Sequence, residues 1–194
     1  MEFRYARPSD APAVARLHAE SWRRAYRGTL PDKFLDGPVF NDRLAQWRGR
    51  LTEPQPETQG VLLLEEKGML WGFGCVFLDA NPKWGALLDN LHVLPAVQGR
   101  GLGRRLMGET AAWVLERRPD SGLYLLVFAT NQTARDFYER LGGQAVEQFP
   151  HPGPGGTKIE TVRYVWPDLR PLAVAAAGPI GGNSVPVKAA VAKA

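Results

Sequence analysis

The chain has 194 residues, 44% hydrophobic and 23% charged, ordinary values for one globular domain long enough to bury a sizeable core. No apolar run approaches the roughly 18 residues of a membrane span, the charged, alternating start MEFRYARPSD is unlike a signal peptide, and one cysteine, Cys75, excludes an internal disulfide or a cysteine-built metal cluster. The net charge of +4 invites a nucleic-acid reading, but Lys188 and Lys193 between Ala173 and Ala194 carry half of it, and no basic run is interleaved with base-stacking aromatics.

Three scattered histidines, His18, His92 and His151, offer no ligand cluster. The expectation is a metal-free, cytoplasmic protein with neither membrane nor nucleic acid as partner. EFRYA alternates and reads as a short strand. RPSDAPAVARLHAESWRRAY follows with Ser9 or Asp10 placed to cap a helix, and Val14, Leu17, Trp22 and Tyr26 recur at helical spacing. After GTLPDKFLDGP a second helix is predicted over Asn41 to Leu51. GVLLLEEKGMLWGFGCVFLD reads as two strands joined at Lys67–Gly68, and WGALLDNLHVL as a third, stopped by Pro95.

The next helix runs from Gly101 to about Arg117 and buries Leu102, Leu106, Thr110 or Ala111, and Val114. GLYLLVFA is a continuous apolar run, as in a strand covered on both faces. NQTARDFYERLGG is a helix with Asn131 at its start and glycine at its end, and GQAVEQF with TKIETVRYVW closes the sheet as a strand pair. The order is therefore β-αα-βββ-α-β-α-ββ, an α/β (α+β) chain with a mixed central sheet of about seven strands and helices on both faces. The domain is expected over 1–172. The segment 173–194, low in complexity and broken by Gly and Pro, is expected to be a disordered tail.

QGRGLGRR, Gln98 to Arg105, puts three glycines and three arginines at a helix start. Glycine is a poor helix former and arginine has the wrong charge for that end. A helix N-terminus, however, presents unpaired N–H groups and a positive dipole end, which together bind anions. Gly99, Gly101 and Gly103 clear the approach for a phosphate, and Arg100, Arg104 and Arg105 add charge-assisted contacts to it. The bland reading is a tight strand-to-helix turn, for which one glycine would suffice. No Lys-Ser/Thr pair follows, as a P-loop needs, and the last glycine of G-x-G-x-x-G falls on Arg104 or Leu106, so neither of those phosphate motifs fits.

LHVLPAVQGRGLGRRLM instead resembles the Q/R-x-x-G-x-G/A pyrophosphate motif of the GNAT superfamily of N-acetyltransferases, with Gln98, Gly101 and Gly103 in the defining places. NQTARDFYERLGG is similar to the family's later Asn…Tyr helix, with Gly143 where an aromatic is usual. The resemblance covers about Glu2 to Leu172 and implies the GNAT fold, acetyl-CoA as co-substrate without a metal, and direct attack by an acceptor amine of a small molecule or peptide. It implies that the strand Leu88 to Val93 parts from Leu123 to Ala129. Pantetheine then pairs with backbone near Leu91 and Val93, and Gln98, Gly99, Arg100, Gly101, Leu102, Gly103 and Arg104 form the phosphate cradle. A non-catalytic acyl-CoA-binding module on the same fold is the alternative, and a homodimer is left open.

Acetyl transfer needs a neutral amine, a stabilised oxyanion and a proton for the leaving thiolate. Tyr138, one turn beyond Ala134, suits the last role, against the alternative of a packed core tyrosine. Asn131 either caps its helix or also contacts the cofactor. In LLDNLHV the candidates for the base are Asp89, Asn90 and His92. Asp89 is the first choice, acting through water, with a merely ion-paired Asp89 or no dedicated base as alternatives. Strict alternation puts Asp89 opposite Asn90 and His92, unless a bulge reverses it. ESWRRAYRGTLP is similar to the first-helix segment of the spermidine/spermine-acetylating group. Trp22 and Tyr26, with Asn90, are therefore candidates for the acceptor wall, against a plain core role; polyamine specificity is not carried over.

Overall fold

A computed structural model of the chain describes residues 1–53, 55–153 and 157–176. Its strands are β1 (Glu2–Tyr5), β2 (Gln59–Glu66), β3 (Met69–Asn81), β4 (Gly85–Val93), β5 (Leu123–Phe128), β6 (Gln144–Pro152) and β7 (Lys158–Trp166). They form one seven-stranded sheet in the order β1-β2-β3-β4-β5-β7-β6. Only β4 and β5 pair in parallel; every other neighbour is antiparallel. The helices are α1 (Ala11–Ala25), α2 (Asp32–Asp36), α3 (Val39–Thr52), α4 (Leu102–Arg117), α5 (Gln132–Arg140) and α6 (Arg170–Ala176).

Local chemistry accounts for most boundaries. Lys67 (φ 52°) and Gly68 (φ 76°) are both left-handed, as a two-residue hairpin turn between β2 and β3 requires. Asp10 precedes α1 but does not cap it through its side chain. Its carboxylate instead accepts from the Arg7 amide (2.7 Å) and from both ends of the Arg4 guanidinium (2.7 and 2.9 Å). Two elements went unread in the sequence. α2 is a five-residue turn of helix around the buried Leu35. α6 carries the fold past the expected boundary at 172, because Leu169 and Leu172 bury against the α4 side of the core. The remainder of the expected tail, 177–194, lies outside the described residues.

The sheet carries apolar layers on both faces. α1 and α3 cover one through Val14, Leu17, Trp47 and Leu51, which pack on Val61, Leu63, Phe73 and Cys75. α4 covers the other: Leu106, Met107, Ala111 and Val114 meet Leu62, Val76, Leu88, Leu123 and Leu125. Both Thr110 and Ala111 are buried, Thr110 donating its hydroxyl to the Leu106 carbonyl (2.8 Å).

Two features of this frame bear on function. At the start of β4, Gly85 is left-handed (φ +82°), and a Cβ there would lie 2.4 Å from the Gly122 carbonyl oxygen. That close approach brings β4 alongside β5, with the Ala86 amide donating to Gly122 (3.0 Å). Within the α1–α3 layer, His18 is fully buried among aromatic rings and accepts a hydrogen bond at Nδ1 from the Trp47 indole (3.0 Å). The ring of His92 on β4 lies 4.7 Å from it, and both pack on Phe73. Burial first, and then the nearby Arg43 charge, hold His92 down at about 4; burial and the neighbouring His92 and arginines depress His18 well below its ordinary value.

Gly85→Ala should destabilise the fold by roughly 1–3 kcal/mol, from positive-φ strain plus the clash with Gly122, read as a lower urea midpoint. Acid should destabilise it in a defined window. Unfolded histidine takes a proton below about 6.5, whereas folded His92 resists until about 4, so stability is full above 6.5 and falls as pH drops between these values. His92 alone accounts for about 2 kcal/mol between pH 7 and pH 5. His92→Phe, which keeps a ring against Phe73, should flatten the pH dependence of the urea midpoint by that amount, and an unchanged slope would count against the assignment.

Candidate active site

The parallel ladder between β4 and β5 consists of Ala86 with Leu123 and Leu87 with Tyr124, and stops there. β5 stays paired with β7 to its end at Phe128, and β4 stays paired with β3 to Val93, so a gap opens between them toward their C-terminal ends. The Leu94 amide donates to Trp71 on β3 (2.8 Å). Because antiparallel hydrogen bonding alternates along a strand, Leu91 and Val93 must turn their N–H and C=O groups toward the gap. Gln98 confirms this for Val93: its side-chain amide donates to the Val93 carbonyl (3.1 Å). The Gln98 side chain thus buttresses the loop against the strand and takes up one of the open-edge acceptors.

The loop that follows ends in the start of α4. Gly99 (φ +78°) and Gly101 (φ +76°) are left-handed, and a Cβ on either would meet nothing within 4 Å, so both border open space. Gly101 occupies the N-cap of α4 and supplies no side-chain cap. The first helical bond runs from the Arg105 amide to Gly101 O (3.1 Å), which leaves the amides of Leu102, Gly103 and Arg104 ahead of it without helical acceptors. Gly103 differs from the other two. A Cβ there would sit 3.3 Å from the Phe137 ring, so this glycine serves the packing of α4 on α5. Gly103, whose amide is one of the three left free, thus also lets α4 pack close to α5. Arg100 lies over Trp71 (5.3 Å to the ring centroid) and Arg105 over Phe3 (5.0 Å). Neither they nor Arg104 pair with a carboxylate among the described residues.

Across the gap, Asn131 caps α5, its Oδ1 accepting from the Ala134 amide (3.2 Å). Tyr26, just beyond the end of α1, packs its ring against Phe128 at the end of β5 (4.7 Å between ring centroids). Thr29 and Thr130 share a hydroxyl hydrogen bond (2.9 Å), tying the same two segments together. Tyr138, one turn further along α5, packs with Leu91, Val93 and Ala134 on the same cluster. Burial, and then the neighbouring Tyr26, push its hydroxyl above the ordinary phenol range. Burial likewise pushes Tyr26 up, to about 12. Both hydroxyls therefore keep their protons at neutral pH. The structure thus brings Tyr26 and Tyr138 within electrostatic reach of each other, with Asn131 at the start of the same helix as Tyr138, while the Tyr138 ring also lies 6.0 Å from both Tyr164 and Trp166.

α5 itself is pinned from behind by residues that the sequence did not single out. Arg135 Nε donates to the Tyr164 hydroxyl (3.3 Å), which donates to Glu139 (2.5 Å), while the Trp166 indole donates to the Leu141 carbonyl (2.9 Å). Gly143 is the aromatic position left small: a Cβ there would fall 2.5 Å from the Trp166 ring, which fills the space instead.

The opposite wall depends on a bulge. Cys75 pairs with Asn90 but Val76 with Leu88, so Asp89 is the extra residue. Strict alternation across Asp89 therefore fails, and Arg50 Nη1 on α3 reaches both Asp89 Oδ2 (2.7 Å) and Asn90 Oδ1 (3.0 Å). Two further groups were missed because charged helix positions usually face water. Arg43 on α3 stacks over Trp22 (4.2 Å), and Trp22 contacts both Tyr26 and His18 (5.3 Å each). The signal was the spacing of Arg43, Trp47 and Arg50, one helical stripe whose centre, Trp47, is completely buried. Cys75 lies deep in this wall with its thiol pushed up to about 12 by burial, which makes it inert.

Among the described residues no group of three or more His, Cys, Asp or Glu side chains can hold a metal ion, and no helix is long and apolar enough to cross a membrane.

Comparison with known proteins gives the family. Residues 15–143 match the model of the acetyltransferase (GNAT) family. The uncharacterized N-acetyltransferase YuaI of Bacillus subtilis is 23% identical over 184 residues, covering 87% of this chain and 94% of its own. The L-amino acid N-acyltransferase MnaT of Escherichia coli is 27% identical over 161 residues, covering 79% and 85%. Among solved structures, PaiA N-acetyltransferase from Thermoplasma acidophilum in complex with coenzyme A superposes with TM-score 0.66 at 17% identity, covering 85% of this chain and 98% of its own. YncA from Salmonella typhimurium with its cofactor acetyl-CoA gives TM-score 0.59 at 21% identity, covering 86% and 92%. The chain belongs to the acetyltransferase (GNAT) family.

Proposed function

We propose that this chain is an N-acetyltransferase that moves the acetyl group of acetyl-CoA to a primary amine by direct attack, with Tyr138 as general acid. The observation that carries the reading is the ladder end after Leu87 and Tyr124, which leaves open-edge backbone groups beside the helix start at Gly101. The residues present fit such a group. Gly99 and Gly101 border space that a Cβ would fill, the unbonded amides of α4 face an anion site with a positive dipole end, and Arg100, Arg104 and Arg105 lack carboxylate partners among the described residues.

Acetyl-CoA, when bound, supplies a thioester already activated toward an amine. The open edge of β4 holds the pantetheine arm by strand-like pairing at Leu91 and Val93. Gln98 braces that edge, and an N–H from it donates to the developing oxyanion, where a fixed dipole is worth most. Tyr138 donates its proton to the departing thiolate. Asn131 keeps α5 capped and so keeps Tyr138 at the gap. Asp89, held beside Asn90 by Arg50, takes the amine proton through water. Trp22 and Tyr26 line the acceptor side.

Gly101→Val would force a β-branched residue into the left-handed region and put atoms into the cradle. Acetyl-CoA binding should weaken at least about tenfold, roughly 1.4 kcal/mol, in a protein that still unfolds cooperatively; unchanged affinity by calorimetry would sink the cradle assignment. Tyr138→Phe keeps the ring and removes only the hydroxyl. If Tyr138 is the acid, kcat should fall roughly 10–100-fold, the low end of general-acid assistance, with acetyl-CoA affinity and Tm little changed. A stable Phe variant with wild-type kcat on an amine panel, followed by free-thiol release, would end that assignment. Stabilisation by acetyl-CoA without thiol release on any amine would point to a non-catalytic acyl-CoA-binding module.

A further inference from the structure

We infer that the acceptor carries a carboxylate beside its amine, as a free amino acid does, and that Arg43 receives it. This deepens the amine-acetylation reading above and rests on it. Arg43 stands where few charges are tolerated. Its side chain is only 14% exposed, its guanidinium carbon lies over the Trp22 ring at 4.2 Å from the centroid, and Trp22 is in ring contact with both Tyr26 and His18. Its charge is felt at Tyr26, at His18 and at His92, so it sits among the groups that wall the acceptor side.

The guanidinium is also incompletely used. Nε and Nη2 both go to one oxygen of Asp42, its sequence neighbour, whose side chain is 44% exposed. That pair engages only one edge of the guanidinium. Nη1 makes no hydrogen bond among the described residues and is not one of the sealed, unpartnered polar atoms, so it remains open to a partner. Arg50, the other cation of this wall, is already matched by Asp89 at 2.7 Å. An arginine cannot discharge by losing its proton, and its planar fork suits a carboxylate. A second ammonium, as in a diamine, would instead approach a like charge that only Asp42 offsets. The aromatic rings of Trp22 and Tyr26 leave the remaining surface suited to an apolar side chain.

The test is a binding comparison on the full chain saturated with CoA, using N-acetyl-L-amino acids and their primary carboxamides. Each pair differs only in the charge that Arg43 would read. At least one acid should bind roughly tenfold or more tightly than its amide, and Arg43→Met, which keeps an unbranched stem over Trp22, should bring that ratio close to one. If no acid binds more tightly than its amide, or if the ratio survives in Arg43→Met with an unchanged Tm, the inference is overturned. Thiol release from acetyl-CoA with the free amino acids and with spermidine is followed separately. Acid-selective binding without release on any amine would leave this inference standing and remove the transferase reading. Release that favours spermidine over every amino acid would do the opposite.

Discussion

Everything at this site depends on a sheet that stops pairing in its middle. A parallel ladder two residue pairs long is an unusual place to break, because the N–H and C=O groups beyond it must find other partners. The rest of the fold makes the break sustainable. Apart from the bulge at Asp89 and the turn-side irregularity near Ala86, β4 keeps its β3 partner, and β5 keeps its β7 partner along its whole length. The Gly85–Gly122 approach clamps one end of the pair, and the bulge at Asp89 turns β4 at the point where the clamp ends. α4 underlies both strands, and the Arg135–Tyr164–Glu139 chain with the Trp166–Leu141 bond fixes α5 at the far lip. The gap is held by rigid elements on every side, which is what a preformed binding slot needs.

Much of this was legible in the sequence, for identifiable reasons. Every strand was marked by alternation or a continuous apolar run, and the long helices by repeats such as Leu102, Leu106 and Val114, because burial of one face sets the period. The glycine-rich helix start announced itself because it contradicts local preference, and such contradictions collect at functional sites. α2 was hidden because five residues cannot show a helical period. α6 was hidden because Leu169 and Leu172 border a tail whose Ala, Gly and Pro content dominates the eye. Nothing in Leu88–Val93 specifies a bulge, so alternation alone placed Asp89 on the wrong side of its own neighbours. His18 read as one of three scattered histidines; only tertiary packing shows that Trp47 binds it.

The charged residues divide in a way that composition cannot display. Arg27 with Asp32 and Asp36, and Arg118 with Asp79, are exposed pairs that do little beyond solubility. Arg43 and Arg50 have the same formula and sit on a helix just as polar, yet both face inward beside Trp22 and Trp47. The difference is the depth of α3 against the sheet, fixed by Val39, Trp47 and Leu51. Substituting any of those would move the arginines as well, so packing and charge placement at this wall are one constraint.

Burial also decides which groups in the site carry charge. Tyr26 and Tyr138 are pushed up and His18 and His92 down, so each is driven toward its neutral form for the same reason, loss of water around the charged one. The guanidiniums cannot follow, because no accessible pH removes their proton. On the α1–α3 side fixed positive charge thus comes from Arg43 and Arg50 of α3, while Tyr26 and Tyr138 stay neutral. The two sides therefore differ in how they respond to pH: the buried hydroxyls stay protonated, and the guanidiniums stay charged. The loop from Tyr26 to Thr29 joins the two sides, through the Thr29–Thr130 hydroxyl bond and the packing of Tyr26 on Phe128.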